Sequence, residues 1–405
     1  MGSLGSRYWR LFGASATSNL ADGIGRAALP LLAATFTRDP VLISGLYSLA
    51  FLPWLVFALP AGALVDRGDR RRAMVVANLA RAGVIGVVAA AAGTGHASVP
   101  LLYAAVFTLG AAETVYDSAA NALLPQLVSP GQLDRGNSWL VTAETVGQLF
   151  LGAPVGALLF AVAVAAPLAV NATGFALCAL IMLTVPGSYR PSLAPTGSLR
   201  ADMRDGLRWM LRHPLLRGLT VLFGFTAAFQ AMSMSVLVLF ALDVLQVGSR
   251  GYGLLLLAGG VGGLLGGLAA PYVGRLLGRT GTLSAVALCT PPAVVGMGLT
   301  SDAVSAFALF LVTACLVMIG NVLTMSLRQT LIPEELFGRV QGVWRTAVWG
   351  GIPVGGFAGG VLADATDVPT VFVVAGLGYL ATGVAVTALL FRHRALTAAA
   401  APAGG

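Results

Sequence analysis

Long apolar stretches alternate along the chain with short polar gaps. Twelve such stretches lie at about residues 11–36, 42–64, 73–93, 101–124, 139–162, 166–186, 216–243, 252–275, 282–300, 303–327, 342–363 and 369–391. Each is close to the ~20 residues an α-helix needs to cross hydrocarbon. The runs are unbroken and lack the period of two that a transmembrane β-barrel shows. The pattern predicts an all-α integral membrane protein of twelve transmembrane helices. Between the sixth and seventh spans lies the one long polar stretch, about Gly187 to Pro214. It opens with the loop residues Pro191, Pro195 and Gly197. A helical pattern follows, in which Arg200, Arg204, Arg208 and Arg212 recur every four residues beside Leu199, Met203, Leu207, Met210 and Leu211. Such an amphipathic helix suits the surface of an anionic inner leaflet. The expected layout is therefore a six-helix bundle over 1–188, a linker over 189–214, a second six-helix bundle over 215–391 and a tail over 392–405. The short basic start, Met1–Arg10, and the long first apolar run predict a retained helix instead of a cleaved signal peptide.

Composition agrees: 57% of residues are hydrophobic, 10% are charged and the mean hydropathy is +0.86. A soluble domain carries roughly 25% charged residues. All 24 basic residues are Arg. The absence of Lys excludes a Walker A phosphate loop and a Schiff-base lysine, and with them an ATP motor within this chain. With the N-terminus inside, 20 arginines fall in inner segments and only Arg38 and Arg250 in outer loops. This positive-inside bias predicts a multi-pass protein of the cytoplasmic membrane with both termini in the cytoplasm. Cys178, Cys289 and Cys315 sit singly in separate spans and read as small packing residues. His96, His213 and His393 fall in loops or at the C-terminal end. No metal site, enzyme active site or nucleic-acid surface is expected.

The two halves echo each other. Gly62-Ala-Leu-Val-Asp66-Arg67-Gly-Asp69-Arg70-Arg71-Arg72 follows the second span, and Gly274-Arg-Leu-Leu-Gly278-Arg279-Thr-Gly281 follows the eighth. Gly152-Ala-Pro154-Val-Gly156 in the fifth span matches Gly351-Ile-Pro353-Val-Gly355 in the eleventh. The duplication predicts two pseudo-symmetric bundles, the plan of a rocking transporter. Glycine stripes at 259/263/267 and 351/355/359 predict close helix crossings. Gly62 is expected to allow another, and Asp66 to accept hydrogen bonds from Arg67 or Arg71, forming a gating latch with Arg72 beside it.

Gly-x-x-x-Asp-Arg followed by a basic run resembles the signature loop of the major facilitator superfamily. Ser18-Asn19-Leu20-Ala-Asp22-Gly23, Leu52-Pro53-Trp54, Ala122-Leu123-Leu124-Pro125 and Gly206-Leu207-Arg208-Trp209 are similar to phrases of its drug:proton antiporter branch, among macrolide-efflux-like and siderophore-exporter-like members. Asp69 stands where the signature loop usually has Gly. The fourth span lacks the Arg many antiporters carry there, and Pro154 is shifted by one position in the antiporter motif.

An ionisable group at mid-membrane costs roughly 2.5–3.5 kcal/mol, which makes it a functional candidate. Asp22 and Arg26 are one turn apart on the first span and can neutralise each other. Glu113 and Asp117, one turn apart on the fourth, repel, which favours taking up a proton near neutral pH. Arg81 and Glu144 are candidate partners. All six lie in the first half. The second half offers Phe225, Phe229, Gln230, Met232 and Met234 on the seventh span, an adaptable apolar wall with one amide. The expectation is a monomeric proton-coupled exporter of lipophilic or amphipathic small molecules, working by alternating access. It is driven by the proton gradient, without a cofactor, and partnered by substrate, protons and the lipid bilayer. A lipid flippase or a proton-coupled importer of the same fold is the alternative. Neutralising Asp22 or Glu113 is expected to abolish gradient-driven efflux and leave the protein folded.

Overall fold

The structure, a computed structural model, describes residues 4–65, 67–190 and 199–394. Asp66, the loop residues Pro191, Pro195 and Gly197, and the end of the tail lie outside the described residues. Six helices make up the first half: α1 (Ser6–Phe36), α2 (Pro40–Val65), α3 (Arg70–Gly93), α4 (Val99–Leu127), α5 (133–162) and α6 (Ala166–Leu183). The linker helix α7 (Leu199–Arg212) follows, then α8 (214–244), α9 (248–277), α10 (279–299), α11 (Ala303–Leu331), α12 (Glu334–Ala365) and α13 (Val368–Arg392). Among the described residues, ten helical segments are long and apolar enough to cross a membrane by length and composition. One of these, Gly248–Leu299, is two helices broken only at Gly278, whose φ of 68° suits a residue without a side chain. A polar loop expected there is thus a single hinge residue. α1 does not qualify on apolarity because it carries Ser15, Ser18, Asn19, Asp22 and Arg26 along its length. Counted with it, the spanning helices are the expected twelve.

Acidic residues in the gaps start the helices. Asp69, Asp302 and Asp367 each accept a hydrogen bond from the amide three residues on, at 3.0, 2.7 and 2.7 Å. These are N-cap contacts, which satisfy an otherwise orphaned donor. Two helices contain a wider π-helical turn, Val146–Gly152 in α5 and Phe240–Val244 in α8.

The chain divides into two compact units. Unit 1 comprises Met1–Arg38, Leu49–Thr196 and Val247–Leu257; unit 2 comprises Asp39–Ser48, Gly197–Gln246 and Ala258–Gly405. In unit 1, a Cβ added to Gly152 would lie 2.8 Å from the Leu20 carbonyl oxygen, and one on Gly156 2.5 Å from that of Ile24. In unit 2, α12 meets α8 the same way: a Cβ on Gly351 would lie 2.5 Å from the Gly224 carbonyl oxygen, and one on Gly355 would strike that of Ala228. Backbone touches backbone at these points, so van der Waals contact holds the helices where lipid offers no hydrophobic drive. The echo extends to the transferred segments. Gly253 packs on Ala157 and Pro154 within unit 1, while Gly356 packs on Tyr47 and Ser48 within unit 2.

Two expected glycine contacts are revised. Gly62 has nothing within 4 Å of an added Cβ, so it is not a close-approach point. On α9 the face against α11 is Gly262 and Gly266, which meet the Leu311 and Cys315 carbonyls; Gly263 and Gly267 see only the Met318 side chain, at 3.7 and 3.8 Å.

Candidate functional site

In unit 1 the first span presents two faces. Asn19 and Gly23 turn toward α5: Gln148 Nε2 donates to Asn19 Oδ1 at 2.8 Å, and Gly23 lies against the Gln148 backbone. Ser18 and Asp22, also one turn apart, face Arg81 of α3. Arg81 is 1% exposed. Its Nη2 pairs with Asp22 Oδ1, its Nη1 donates to Ser18 Oγ at 3.2 Å and Asn78 Oδ1 at 3.4 Å, and its guanidinium lies 4.0 Å over the Phe175 ring. Asn78 Nδ2 in turn donates to Cys178 Sγ at 3.1 Å, and Tyr116 bridges Cys178 and Ser15. Cys178 therefore belongs to a polar network and is more than a packing residue. Ser15, Ser18, Asn78, Tyr116 and Phe175 complete that network, and sequence reasoning missed all five as functional residues. The i, i+4 spacing of Ser18 with Asp22 was the available signal.

The pairing differs from the one expected along α1. Asp22 pairs with Arg81, and Arg26 reaches Glu113 of α4 at 3.7 Å. The two acids on α4, Glu113 and Asp117, lie one turn apart, and both are within electrostatic reach of Arg81. Asp117 makes no ion pair among the described residues. Glu144 on α5 is solvent-exposed, and Asp22 and Asp117 both feel its charge. All six candidates thus gather in unit 1, around one buried guanidinium with its counter-ion. Gly152 and Gly156 fix α5 against α1, and Pro154 between them packs on Gly253 of α9.

The signature loop is a clasp. Asp69 Oδ2 accepts from Ser188 Oγ at 2.9 Å and from the Tyr189 amide at 3.0 Å, while Oδ1 caps α3. Arg70 and Arg71 donate to the carbonyls of Ala122 (2.9 Å) and Val185 (2.6 Å), and Arg10 donates to that of Thr184. These arginines sit at the C-terminal ends of α4 and α6, where the helix dipole favours cations. The expected bond from Arg67 or Arg71 to Asp66 falls outside the described residues; Arg71 Nη1 donates to the Val185 carbonyl. Arg67 and Arg72 are exposed, and Asp66 lies outside the described residues. Burial pushes the Asp69 carboxyl up. The amides of Arg72 and Tyr189, the Ser188 hydroxyl and the Arg71 charge outweigh this and hold it below the ordinary carboxylate value. A lowered folded-state value means that its stabilisation is present above the unfolded value near ~3.9 and fades as pH falls through the folded one. Asp69→Ala is expected to lower stability by about 2 kcal/mol at pH 7, by orphaning two donors and a helix cap. Thermal melts should show the gap to wild type narrowing as pH falls below ~4.

Unit 2 holds a cavity of about 120 Å³ whose polar lining is Thr226, Gln230, Thr290, Asn321, Tyr379 and Thr382. Its face of α8 is Phe223, Thr226, Ala227 and Gln230, the i, i+3, i+4, i+7 stripe. Of the five expected wall residues only Gln230 lines it. Phe225 is 55% exposed, Phe229 packs on Gly378, Met232 is buried beside Gly359, and Met234 is half-buried. The matched glycine contacts place Gly224 where Leu20 stands and Ala228 where Ile24 stands. In that register Thr226 replaces Asp22 and Gln230 replaces Arg26. Matching Ile332-Pro333, which follow α11, to Leu124-Pro125 of α4 in sequence sets Asn321 opposite Glu113. Unit 2 is thus a neutral copy of the charged site in unit 1.

A family model described as Major Facilitator Superfamily matches residues 11–350. An uncharacterised MFS-type transporter of Mycobacterium tuberculosis is 36% identical over 149 residues, an alignment covering 36% of this chain and a third (33%) of that protein. The multidrug efflux pump Tap of Mycolicibacterium fortuitum is 27% identical over 405 residues, covering 96% of this chain and 97% of the pump. Among solved structures, the nucleoside transporter NupG superimposes with a TM-score of 0.76 at 13% identity, over 95% of this chain and 99% of that one, a likeness of fold alone. Helices, matched halves and relatives agree: the chain is a multi-pass membrane transporter, not an enzyme, and belongs to the Major Facilitator Superfamily.

Proposed function

We propose that the chain is a proton-coupled exporter of lipophilic or amphipathic small molecules, with proton handling in unit 1 and substrate contact in the neutral cavity of unit 2. The observation that carries this reading is the charge asymmetry between equivalent positions: Asp22, Arg26 and Glu113 on one side, Thr226, Gln230 and Asn321 on the other. The full-length relative named a multidrug efflux pump supports the direction and substrate class. Within unit 1 the acids are unequal. Asp22 pairs with the buried guanidinium of Arg81, whereas Glu113 faces an Arg26 side chain that is 50% exposed and 3.7 Å away. Proton handling is assigned to Glu113 with Asp117, two carboxylates one turn apart on a spanning helix with the loosely held Arg26 near them. One proton moving down a gradient of one pH unit supplies about 1.4 kcal/mol. Uptake on the acidic side and release on the other would bias the orientation in which the cavity opens.

The test is flux of a lipophilic dye in proteoliposomes under an imposed pH gradient. Glu113→Gln is expected to reduce gradient-driven flux at least tenfold while downhill exchange of the dye persists. Gln230→Ala should alter which dyes are carried and leave the coupling intact; Phe225→Ala should do neither. Full gradient-driven flux in Glu113→Gln would remove proton handling from this site.

A further inference from the structure

Two arginines are buried among the described residues, and only Arg81 has a counter-ion. The other, Arg328 near the end of α11, is 8% exposed and lies 4.2 Å over the ring of Trp344. Its Nη2 donates to the Met325 sulfur at 3.4 Å, a weak acceptor, while Nε and Nη1 reach no acceptor. It joins no ion pair among the described residues. Beside it the Gln341 side-chain oxygen also has no donor, and its amide nitrogen turns to the same sulfur at 3.9 Å. A buried charge without a partner costs several kcal/mol, so a guanidinium kept in this state marks a place where an anion arrives from elsewhere.

Its position says what kind of anion. Asn321, which lines the cavity, lies two turns earlier on the same face of α11, about 10 Å along the axis. Thr324 stands between them, with a buried hydroxyl that also finds no partner. On α12, Val348 lines the cavity and Trp344 is one turn below it; Phe223 lines the cavity and packs on Trp344 at 5.5 Å. The stripe from Asn321 through Thr324 to Arg328 therefore runs from the neutral cavity to an unpaired cation, with unsatisfied polar atoms along it. We propose that Arg328 is an anion subsite of the unit 2 cavity, receiving the carboxylate or phosphate of an amphipathic molecule whose apolar body occupies the cavity. This rests on the reading of that cavity as the substrate wall. The anionic group has two sources, a transported solute or the headgroup of a membrane lipid.

The test uses the full chain in phosphatidylcholine nanodiscs and three radiolabelled probes of one tail length: decanoate, decanol and decyltrimethylammonium. Wild type should bind decanoate at least tenfold more tightly than decanol, and the cation most weakly. Arg328→Gln should erase the preference for decanoate and leave decanol binding unchanged; Arg328→Lys, which keeps the charge, should retain part of it. Replacing half the lipid by phosphatidylglycerol separates the sources. Loss of decanoate binding assigns the site to a lipid headgroup, and unchanged binding assigns it to a solute. Equal binding of decanoate and decanol by wild type overturns the anion subsite while leaving the cavity reading intact. A decanoate preference that survives Arg328→Gln also overturns it. Failure of decanol and decanoate alike overturns both readings.

Discussion

Asp22→Asn is expected to destabilise the protein by about 3–5 kcal/mol, because it leaves the guanidinium of Arg81 buried without a compensating charge. The hydroxyl of Ser18 and the amide of Asn78 are neutral acceptors and do not replace the carboxylate. Loss of transport in Asp22→Asn would therefore report a damaged bundle as well as any lost proton, where spacing along the sequence led to the expectation of a folded variant. The double variant Asp22→Asn with Arg81→Met separates the two effects. An apolar side chain of similar length over Phe175 removes the orphaned charge, and most of the lost stability should return. Thermal melts of the two single variants and the double complete a cycle; because each single variant leaves one buried charge unpaired and the double leaves none, the expected coupling energy is at least about 3 kcal/mol. A coupling near zero would mean that the pair contributes nothing to holding α1 against α3. Glu113→Gln does not share this fault, since its partner Arg26 is 50% exposed and not enclosed as Arg81 is.

Gly355→Val is expected to yield no folded protein. The position of its Cβ falls on the Ala228 carbonyl, which is main chain and cannot swing aside as a flexible side chain can. To make room α12 must separate from α8, breaking the contacts of Gly351 and Gly359 along the same stripe. Overpacking at one site costs about 1–3 kcal/mol, and here the adjacent contacts are lost with it. Gly62→Ala and Gly83→Ala are the controls. Neither added methyl meets an atom within 4 Å, and alanine favours a helix over glycine by up to about 1 kcal/mol. Expression, monodispersity in detergent and Tm should place the controls at or above wild type. A well-folded Gly355→Val would show that the helices are not held by this stripe.

Much of the architecture was legible because hydrocarbon demands long apolar helices and the gaps carry the arginines. The six charges of unit 1 were legible for the complementary reason: each violates that demand. What hydropathy does not encode is which apolar face meets protein and which meets lipid, because both environments favour the same side chains. Hence Phe225 stood out on the seventh span while Phe223, two residues earlier, lines the cavity. The displaced glycine face of α9 has the same origin, as does the plain reading of Cys178, whose role depends on Asn78 arriving from another helix. Pairing was invisible for a different reason. Spacing along α1 joins Asp22 to Arg26, but the partners that decide are on α3 and α4. Arg328 carries no signal in the sequence beyond its place near the end of a span; its burial, and the absence of a counter-ion among the described residues, belong to three dimensions alone.

The division of the chain does not follow the linker. Residues 39–48, early in the sequence, are counted with the second unit, and residues 247–257, past the linker, with the first. A protease that cut within the linker would release two polypeptides, neither of which is a whole unit, each holding a piece that completes the other. Co-expression of the two fragments is then expected to raise the yield of each over expression alone, because either half made alone lacks part of its unit's packing surface, including the partners of Gly356 or of Ala157.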